Sequence, residues 1–433
     1  MSVVLKNKIS KRTARVAVIG LGYVGLPLAV NFAKAGYRVT GLDMDQDRVN
    51  QVNACKSYIS DIPTAQLAKV VRDKKFSASM DFALIGEMDV LIICVPTPLR
   101  RRYTPDISYI LSAVRMIAKH FKKHALIVLE STTYPGTTEE LILPELQKSG
   151  KKVGRDFYLS FSPERIDPGN KTYDVTRIPK VVGGVEPKSG EYTALLYKKI
   201  IKEIHVVSSA KSAEMTKLLE NSFRIINVGW INEVAMMCHK MDINVWEVIE
   251  AAKTKPFGFM PFYPGLGVGG HCIPDDPLYL YWKAKHHGFS SKYIKLSADT
   301  NHHMPAYALN FLKDELKVRK KNLRKPRVLM VGVTYKKDIR DLRKSPPLTL
   351  IELMQADGFR VDYHDPIIPY LKIGKIDLES VPLTKKNLAA YDVVIAAMDH
   401  SKVNWNLILN NAKLIYDVKH IYGSKSRKNI IRF

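Results

Sequence analysis

Arg15-Val16-Ala17-Val18-Ile19-Gly20-Leu21-Gly22-Tyr23-Val24-Gly25 is a buried-strand pattern that runs straight into a Gly-x-Gly-x-x-Gly turn. A helical stretch follows from about Leu26 to Ala35, then Gly36 and a second strand, Tyr37 to Leu42, closed by Asp43. A lone glycine triplet is a weak signal, because glycines also serve ordinary turns. Between a strand and a helix it is specific: the glycines let a pyrophosphate lie on backbone N–H groups at the helix start, and an acid about 20 residues on meets the adenosine ribose. Asp43 stands at that point. Its charge repels a ribose phosphate, so NAD is expected rather than NADP, and Arg48 lies within reach of the same ribose.

Working outward, further strands are expected at Val90 to Val95, Leu126 to Leu129, Tyr158 to Phe161 and His205 to Val207, with room for helices between them. That is an α/β domain built on a doubly wound parallel sheet. From Ser209 to about Lys240 the chain reads as one long amphipathic helix interrupted only by Gly229, and helical patterning continues over Val245 to Lys253. A Gly/Pro-rich loop, Lys255 to Pro277, precedes more helix to about Lys321. Strand patterns return at Arg327 to Val333, Phe359 to Tyr363, Asp392 to Ala397 and Leu414 to Val418, with a helix near Pro347 to Ala356. The expected division is 1–208 for a dinucleotide-binding sheet, 209–321 for a helical centre and 322–433 for a second nucleotide-fold sheet. The second sheet's first loop, from Gly332 to Arg343, lacks the glycine triplet and carries Lys336, Lys337, Arg340 and Arg343 instead. One sheet holds phosphates on backbone amides, the other on side-chain charges, which suits two phosphate-bearing ligands.

The chain has 433 residues, 46% of them hydrophobic, enough for two or three cores. The net charge of +25 invites a nucleic-acid reading. Its basic residues come as scattered runs (Lys74-Lys75, Arg100 to Arg102, Lys122-Lys123, Lys320-Lys321) without an RNA-binding motif or aromatic interleaving, which favours solvated surface serving anionic small molecules. Neither nucleic acid nor membrane insertion is expected, since the longest apolar runs are strand-sized. Four cysteines without metal spacing suggest free thiols and no metal in a cytoplasmic protein.

Cys55, Cys94 and Cys238 fall in helix- or strand-like patterns and read as structural. Cys272 lies in Gly267-Val-Gly-Gly-His-Cys-Ile-Pro-Asp-Asp-Pro277, where glycines permit close approach to a ligand and Asp276 follows four residues on. A dehydrogenase needs no thiol to reach an aldehyde. It needs one to go further, because an aldehyde held as a thiohemiacetal can lose a second hydride and become a thioester that water opens to an acid. His271 precedes the thiol, but in an extended chain an adjacent side chain points away. Lys217 and Asn221 share a helix face with Glu214; a solvated stripe is the simpler reading unless that face meets the thiol, where an ammonium stabilises an oxyanion. Glu130 to Thr138 and Ser162 to Arg165 each end a strand, where α/β sheets bind ligands.

These motifs, in order, resemble the UDP-glucose/GDP-mannose dehydrogenase family of nucleotide-sugar 6-dehydrogenases over nearly the whole chain, from about Arg15 to Val418. The runs are GLGYVGLPLA at Gly20, VPTP at Val95, ESTTYPGTTEE at Glu130, SPERIDPGN at Ser162, the Lys217/Asn221 helix, GVGGHCIPDDP at Gly267 and YKKDIRDLRKSP at Tyr335. The resemblance implies two Rossmann-like doubly wound domains joined by a long central helix in a helical middle domain, and a homodimer or larger homo-oligomer. It implies Cys272 as nucleophile, Lys217 and Asn221 at the oxyanion, Asp276 and Thr132 positioning water or protons, and Glu164 as acid-base group for thioester hydrolysis. NAD would meet Gly20, Gly22, Tyr23, Val24, Gly25, Asp43, Arg48, Pro96, Thr97, Thr132 and Arg343. The UDP-sugar would meet Glu164, Arg165, Lys217, Asn221, Tyr263, Gly269 and Lys337. SPERIDPGN together with Lys255-Pro-Phe-Gly-Phe-Met-Pro-Phe-Tyr-Pro-Gly265 is most similar to the branch acting on UDP-N-acetylglucosamine for surface polysaccharides. The N-acetylgalactosamine, N-acetylmannosamine and glucose branches are the alternatives. Two features depart from the pattern: Lys253, Lys255 and Pro256 stand where the UDP-glucose branch usually has an arginine, and Asp417-Val-Lys-His420 stands where many relatives have Asp-x-Arg-Asn.

Overall fold

The computed structural model describes residues 2–59, 62–100, 103–165, 176–319, 325–423 and 427–432. Residues 166–170 of the SPERIDPGN run, Arg101, Arg102, Lys320 and Lys321 lie outside the described residues. The chain forms two compact units, residues 1–220 with 282–289 and residues 221–281 with 290–433.

In the first unit, strands β1 (Arg15–Ile19), β2 (Arg38–Leu42), β3 (Phe76–Ser79), β4 (Val90–Ile93), β5 (Ala125–Leu129), β6 (Phe157–Phe161), β7 (Lys180–Gly184) and β8 (Ile204–Val207) make one sheet in the order β3-β2-β1-β4-β5-β6-β7-β8. Val16 to Val18, Val90 to Ile93 and Leu126 to Leu129 are wholly buried, as strands covered on both faces must be. The helix Gly25–Lys34 packs Leu26, Ala29, Val30 and Phe32 into the core on one side, while Ile110, Val114 and Ile117 of Ser108–His120 pack on the other. Pairing is parallel from β3 through to β6, but β6 and β7 run antiparallel, with Ser160 opposite Gly184 and Phe161 opposite Gly183. The expectation of an all-parallel first sheet is corrected there. An additional N-terminal helix, Ser2–Ser10, buries Leu5 and Ile9, one turn apart, and Tyr37 donates its hydroxyl to the Ile9 carbonyl at 2.8 Å.

In the second unit, β9 (Arg327–Val331), β10 (Arg360–His364), β13 (Val393–Ala396), β14 (Ile415–Asp417) and β15 (Ile430–Arg432) form an all-parallel sheet ordered β10-β9-β13-β14-β15. β11 (Tyr370–Ile373) and β12 (Ile376–Glu379) pair as a separate hairpin. The two sheets start alike. Gly20 N–H donates to Leu42 O at 2.8 Å and Leu21 N–H to the Asp43 carboxylate at 2.7 Å. Gly332 N–H donates to His364 O at 2.8 Å and Val333 N–H to Asp365 at 2.8 Å.

The long helix is Ala210–Lys240, its residues beyond 220 belonging to the second unit. There it lies close to the helix Lys292–Val318: a Cβ on Gly229 would come within 2.9 Å of Ser297 Cβ. Asn232, fully buried, donates to Asn301 Oδ1 at 2.9 Å and accepts the Gly265 N–H at 2.9 Å, so two buried amides tie the Gly/Pro-rich loop to both helices. Each partner is satisfied, as burial requires.

Candidate active site

The glycine loop after β1 separates what the protein needs from what a ligand needs. A Cβ on Gly20, where φ is +92°, would sit 2.5 Å from Cys94 O, and one on Gly25 would sit 1.8 Å from Gly20 O, so the chain's own packing demands both. A Cβ on Gly22 would meet nothing within 4 Å. Space beside a backbone that heads a helix suits a pyrophosphate, and the residues present fit NAD. Asp43 is buried after β2; besides the Leu21 N–H it accepts Asp45 N–H at 3.0 Å, and the Arg48 guanidinium lies 3.4 Å away. Arg48 is therefore already paired with the acid. Tyr23 is exposed, Val24 immediately precedes the helix, and Pro96 (exposed) and Thr97 (buried) follow β4.

Within the same unit, Thr132 is half-buried on the segment after β5. Glu214 anchors the continuation of that segment: it accepts Gly136 N–H at 2.6 Å and the Thr138 N–H and hydroxyl at 2.9 and 2.7 Å. Burial pushes its carboxyl up to about 7, against the opposing pull of those bonds. Glu214, Lys217 and Asn221 are all buried, which replaces the solvated-stripe reading. Glu164 and Arg165 follow β6; Arg165 donates to Pro179 O at 2.6 Å and pairs with Glu220 at 2.6 Å.

In the second unit, Cys272 is exposed and is the first residue of the helix Cys272–His286. The loop was expected to run to Pro277, so the thiol sits on a helix start instead, a place where backbone N–H groups favour negative charge. The glycines and prolines concealed the boundary: Pro274 falls in the first turn, where a missing N–H breaks no helical bond. His271 is likewise not in an extended chain, because Asp275 N–H donates to its carbonyl at 3.1 Å and its Nε2 lies 3.7 Å from the Asp275 carboxylate. Burial pushes the imidazole down despite that acid. Asp276, fully buried one turn after the thiol, accepts from Asn221 Nδ2 at 2.5 Å, and Arg224 holds the other end of the Asn221 amide. Asn221, Asp276 and Cys272 are thus linked locally.

The thiol loop lies flush on the basic loop of the second sheet. A Cβ on Gly269 would be 2.5 Å from Tyr335 Cβ, Gly270 N–H donates to Arg343 O at 2.9 Å, and Lys344 pairs with buried Asp275. Lys337 pairs with Asp399 at 3.0 Å, Arg343 forks onto Asp341, and Tyr263, partly exposed, donates to Glu250 at 2.9 Å. Cys55 departs from its expected helix- or strand-like setting: it has a left-handed backbone, φ +60°, just after the helix Gln46–Asn53. Among the described residues no cluster of His, Cys, Asp or Glu is placed to hold a metal, and no helix is long and apolar enough to cross a membrane. Sequence reasoning missed Asn232, Asn301, Lys344, Asp275 and Lys180. Of these, Asp275, beside Asp276, and Lys344, inside the YKKDIRDLRKSP run, left a visible signal.

Three family models match in succession: the UDP-glucose/GDP-mannose dehydrogenase family's NAD binding domain over residues 14–201, its central domain over 211–303 and its UDP binding domain over 329–424. The chain is 36% identical to the UDP-N-acetyl-D-glucosamine 6-dehydrogenase of Pseudomonas aeruginosa, covering 94% of this chain and 95% of that one. It is 33% identical to the UDP-N-acetyl-D-mannosamine dehydrogenase of Pyrococcus horikoshii, covering 94% and 96%. The solved structure of a UDP-D-ManNAc dehydrogenase from Pyrococcus horikoshii superposes with a TM-score of 0.87 at 32% identity, over 96% of this chain and 98% of that one.

Proposed function

The chain belongs to the UDP-glucose/GDP-mannose dehydrogenase family, and from that premise we propose that it oxidises the C6 hydroxyl of UDP-N-acetylglucosamine to the carboxylate of the uronic acid. It is an NAD-dependent oxidoreductase acting on UDP-sugars; the sugar, the roles of individual residues and the homodimer or larger homo-oligomer belong to the proposal. The observation that carries it is Cys272, exposed at a helix start one turn from a buried Asp276 bonded to Asn221. A two-electron dehydrogenase has no use for that thiol.

NAD, which the Gly20–Gly25 turn and Asp43 would hold, would supply the acceptor for the hydride of each oxidation. The protein's own residues do the rest. The Cys272 thiolate adds to the C6 aldehyde; Lys217 and Asn221 stabilise the oxyanion; Asp276 and Thr132 order water and protons; Glu164 draws the proton from the water that opens the thioester. The basic loop around Lys337, with Tyr263 and Gly269 nearby in sequence to the thiol, takes the UDP end. Large exposed apolar side chains on the long helix, Leu219, Phe223, Trp230 and Met237, support burial against a second copy.

The test is NADH formation with UDP-N-acetylglucosamine, UDP-N-acetylgalactosamine, UDP-N-acetylmannosamine, UDP-glucose and GDP-mannose. About two NADH per sugar, with a uronic acid product, is expected. One NADH with free aldehyde overturns the four-electron reading, and preference for UDP-N-acetylmannosamine, the substrate named for the Pyrococcus relative, overturns the sugar assignment.

A further inference from the structure

An ion pair that the mechanism above does not use lies at the end of the first sheet. Lys180, the first residue of β7, is 5% exposed, and its ammonium pairs with Glu130, which is 1% exposed at the end of β5. Tyr197, fully buried, donates to the same Glu130 oxygen at 2.6 Å, and the ammonium lies 4.9 Å from the centre of its ring. The other Glu130 oxygen has no hydrogen-bond partner among the described residues. An arrangement of this kind is a poor way to stabilise a fold. Desolvating two charges costs several kcal/mol per ion, and apolar replacements of buried pairs are often neutral or better.

The ammonium's third contact shows where its charge is directed. Lys180 Nζ donates to Pro163 O at 3.2 Å, the carbonyl immediately before Glu164. From the other side Arg165 donates to Pro179 O at 2.6 Å, the carbonyl immediately before Lys180, and is itself held by Glu220. Two reciprocal side-chain-to-carbonyl bonds therefore tie the segment that carries Glu164 to the start of β7.

We propose that Lys180 is a positioning residue for Glu164, fixing the backbone that carries it, so that hydrolysis of the thioester depends on Lys180 while hydride transfer does not. This rests on the reading of Glu164 given above. In the step concerned, the water oxygen bonds to the acyl carbon, the carbon–sulfur bond breaks, Cys272 leaves as thiolate, and the water's proton passes to Glu164. No oxidant or reductant is involved.

Removing Lys180 alone strands a charged Glu130, so the variant of choice is Lys180→Met with Glu130→Gln, which leaves a neutral buried pair and keeps an acceptor for Tyr197. The full chain is mixed with NAD and UDP-N-acetylglucosamine, or whichever UDP-sugar the panel above selects. NADH is followed before the first turnover ends, and intact-protein mass reports acyl groups on Cys272. The expected result is a burst of about two NADH per site at the wild-type rate, then steady turnover lowered roughly tenfold or more, with acylated enzyme accumulating and KM little changed. Unchanged steady turnover overturns the proposal. So does a burst slowed in proportion to turnover, which marks a merely structural defect. Glu164→Gln in the same assay separates the two levels: if it accumulates acyl-enzyme and the Lys180 variant does not, Lys180 alone is misassigned. If neither does, the reading of Glu164 fails first.

Discussion

Replacing Glu214 by glutamine tests the link between the long helix and the segment that carries Thr132. The native carboxyl titrates at about 7, raised chiefly by burial, whereas an unfolded glutamate titrates near 4.5. Between those values the folded chain binds a proton that the unfolded chain has released, so native stability falls as pH rises through the window and levels off above it. At about 1.4 kcal/mol per unit, the gap amounts to roughly 3 kcal/mol between about pH 5 and about pH 8. Glutamine cannot ionise, so urea unfolding of the variant over that range should lack this fall while the wild type retains it. Two of the three donors, the Thr138 N–H and hydroxyl, converge on one oxygen and can still be served by the amide carbonyl. Glu214→Ala serves none of the three, and should lose roughly 3 to 5 kcal/mol, at about 1 to 3 per unmet buried donor with the hydroxyl free to turn. A glutamine variant whose stability falls with pH as steeply as the wild type would refute the reasoning, because the titrating group would then lie elsewhere.

Gly22→Ala should fold as stably as the wild type, within about 0.5 kcal/mol, since the new methyl meets no protein atom, yet raise KM for NAD roughly tenfold by filling the cofactor's space. Gly25→Ala should instead fail thermally, its methyl driven into Gly20 O, and a Gly22 variant that behaves like it would show that the open space is not a ligand's. Lys217→Ala should lower kcat far more than it raises KM, by roughly 2 to 4 kcal/mol of transition-state stabilisation; an unchanged kcat in steady-state assays would remove it from the oxyanion. Asp43→Asn keeps one acceptor for Leu21 N–H, so it should remain folded while binding NAD more weakly and discriminating less against NADP; comparative kinetics with both cofactors decide it.

Elements built from uninterrupted apolar runs were legible from residues alone: Val90 to Ile93, Ala125 to Leu129 and Arg327 to Val331 sit within a residue or two of their expected bounds. β3 and β7 were not. Phe76-Ser-Ala-Ser shows only two apolar residues, and Lys180-Val-Val-Gly-Gly begins with a charge and ends with glycines, so neither looks like a sheet interior until its neighbours are known. The same limit applies to the site. Cys272, Asp276 and Asn221 stand in short motifs that single them out as candidates. Asn232 and Asn301 are 69 residues apart and work only as a pair, and Lys180 meets Glu130 across 50 residues, distances over which local pattern carries no information.

The reversed pair of strands, β7 and β8, has a consequence for how such rims are furnished. Strands β1, β2, β4, β5 and β6 all deliver their last residues to the same border of the sheet, and whatever follows them there is borne by loops. Because β7 runs against β6, it brings its first residue, Lys180, to that border, with the strand paired on one side to β6 and on the other to β8. A charge delivered this way is anchored by interstrand pairing rather than by a turn, and it tolerates the low-dielectric interior because its counter-ion, Glu130, arrives just past the end of β5, on the far side of β6. Anyone redesigning a parallel sheet to hold a fixed cation at its working border could copy that device: turn over the last two strands together, and let the opening residue of the inner one carry the charge.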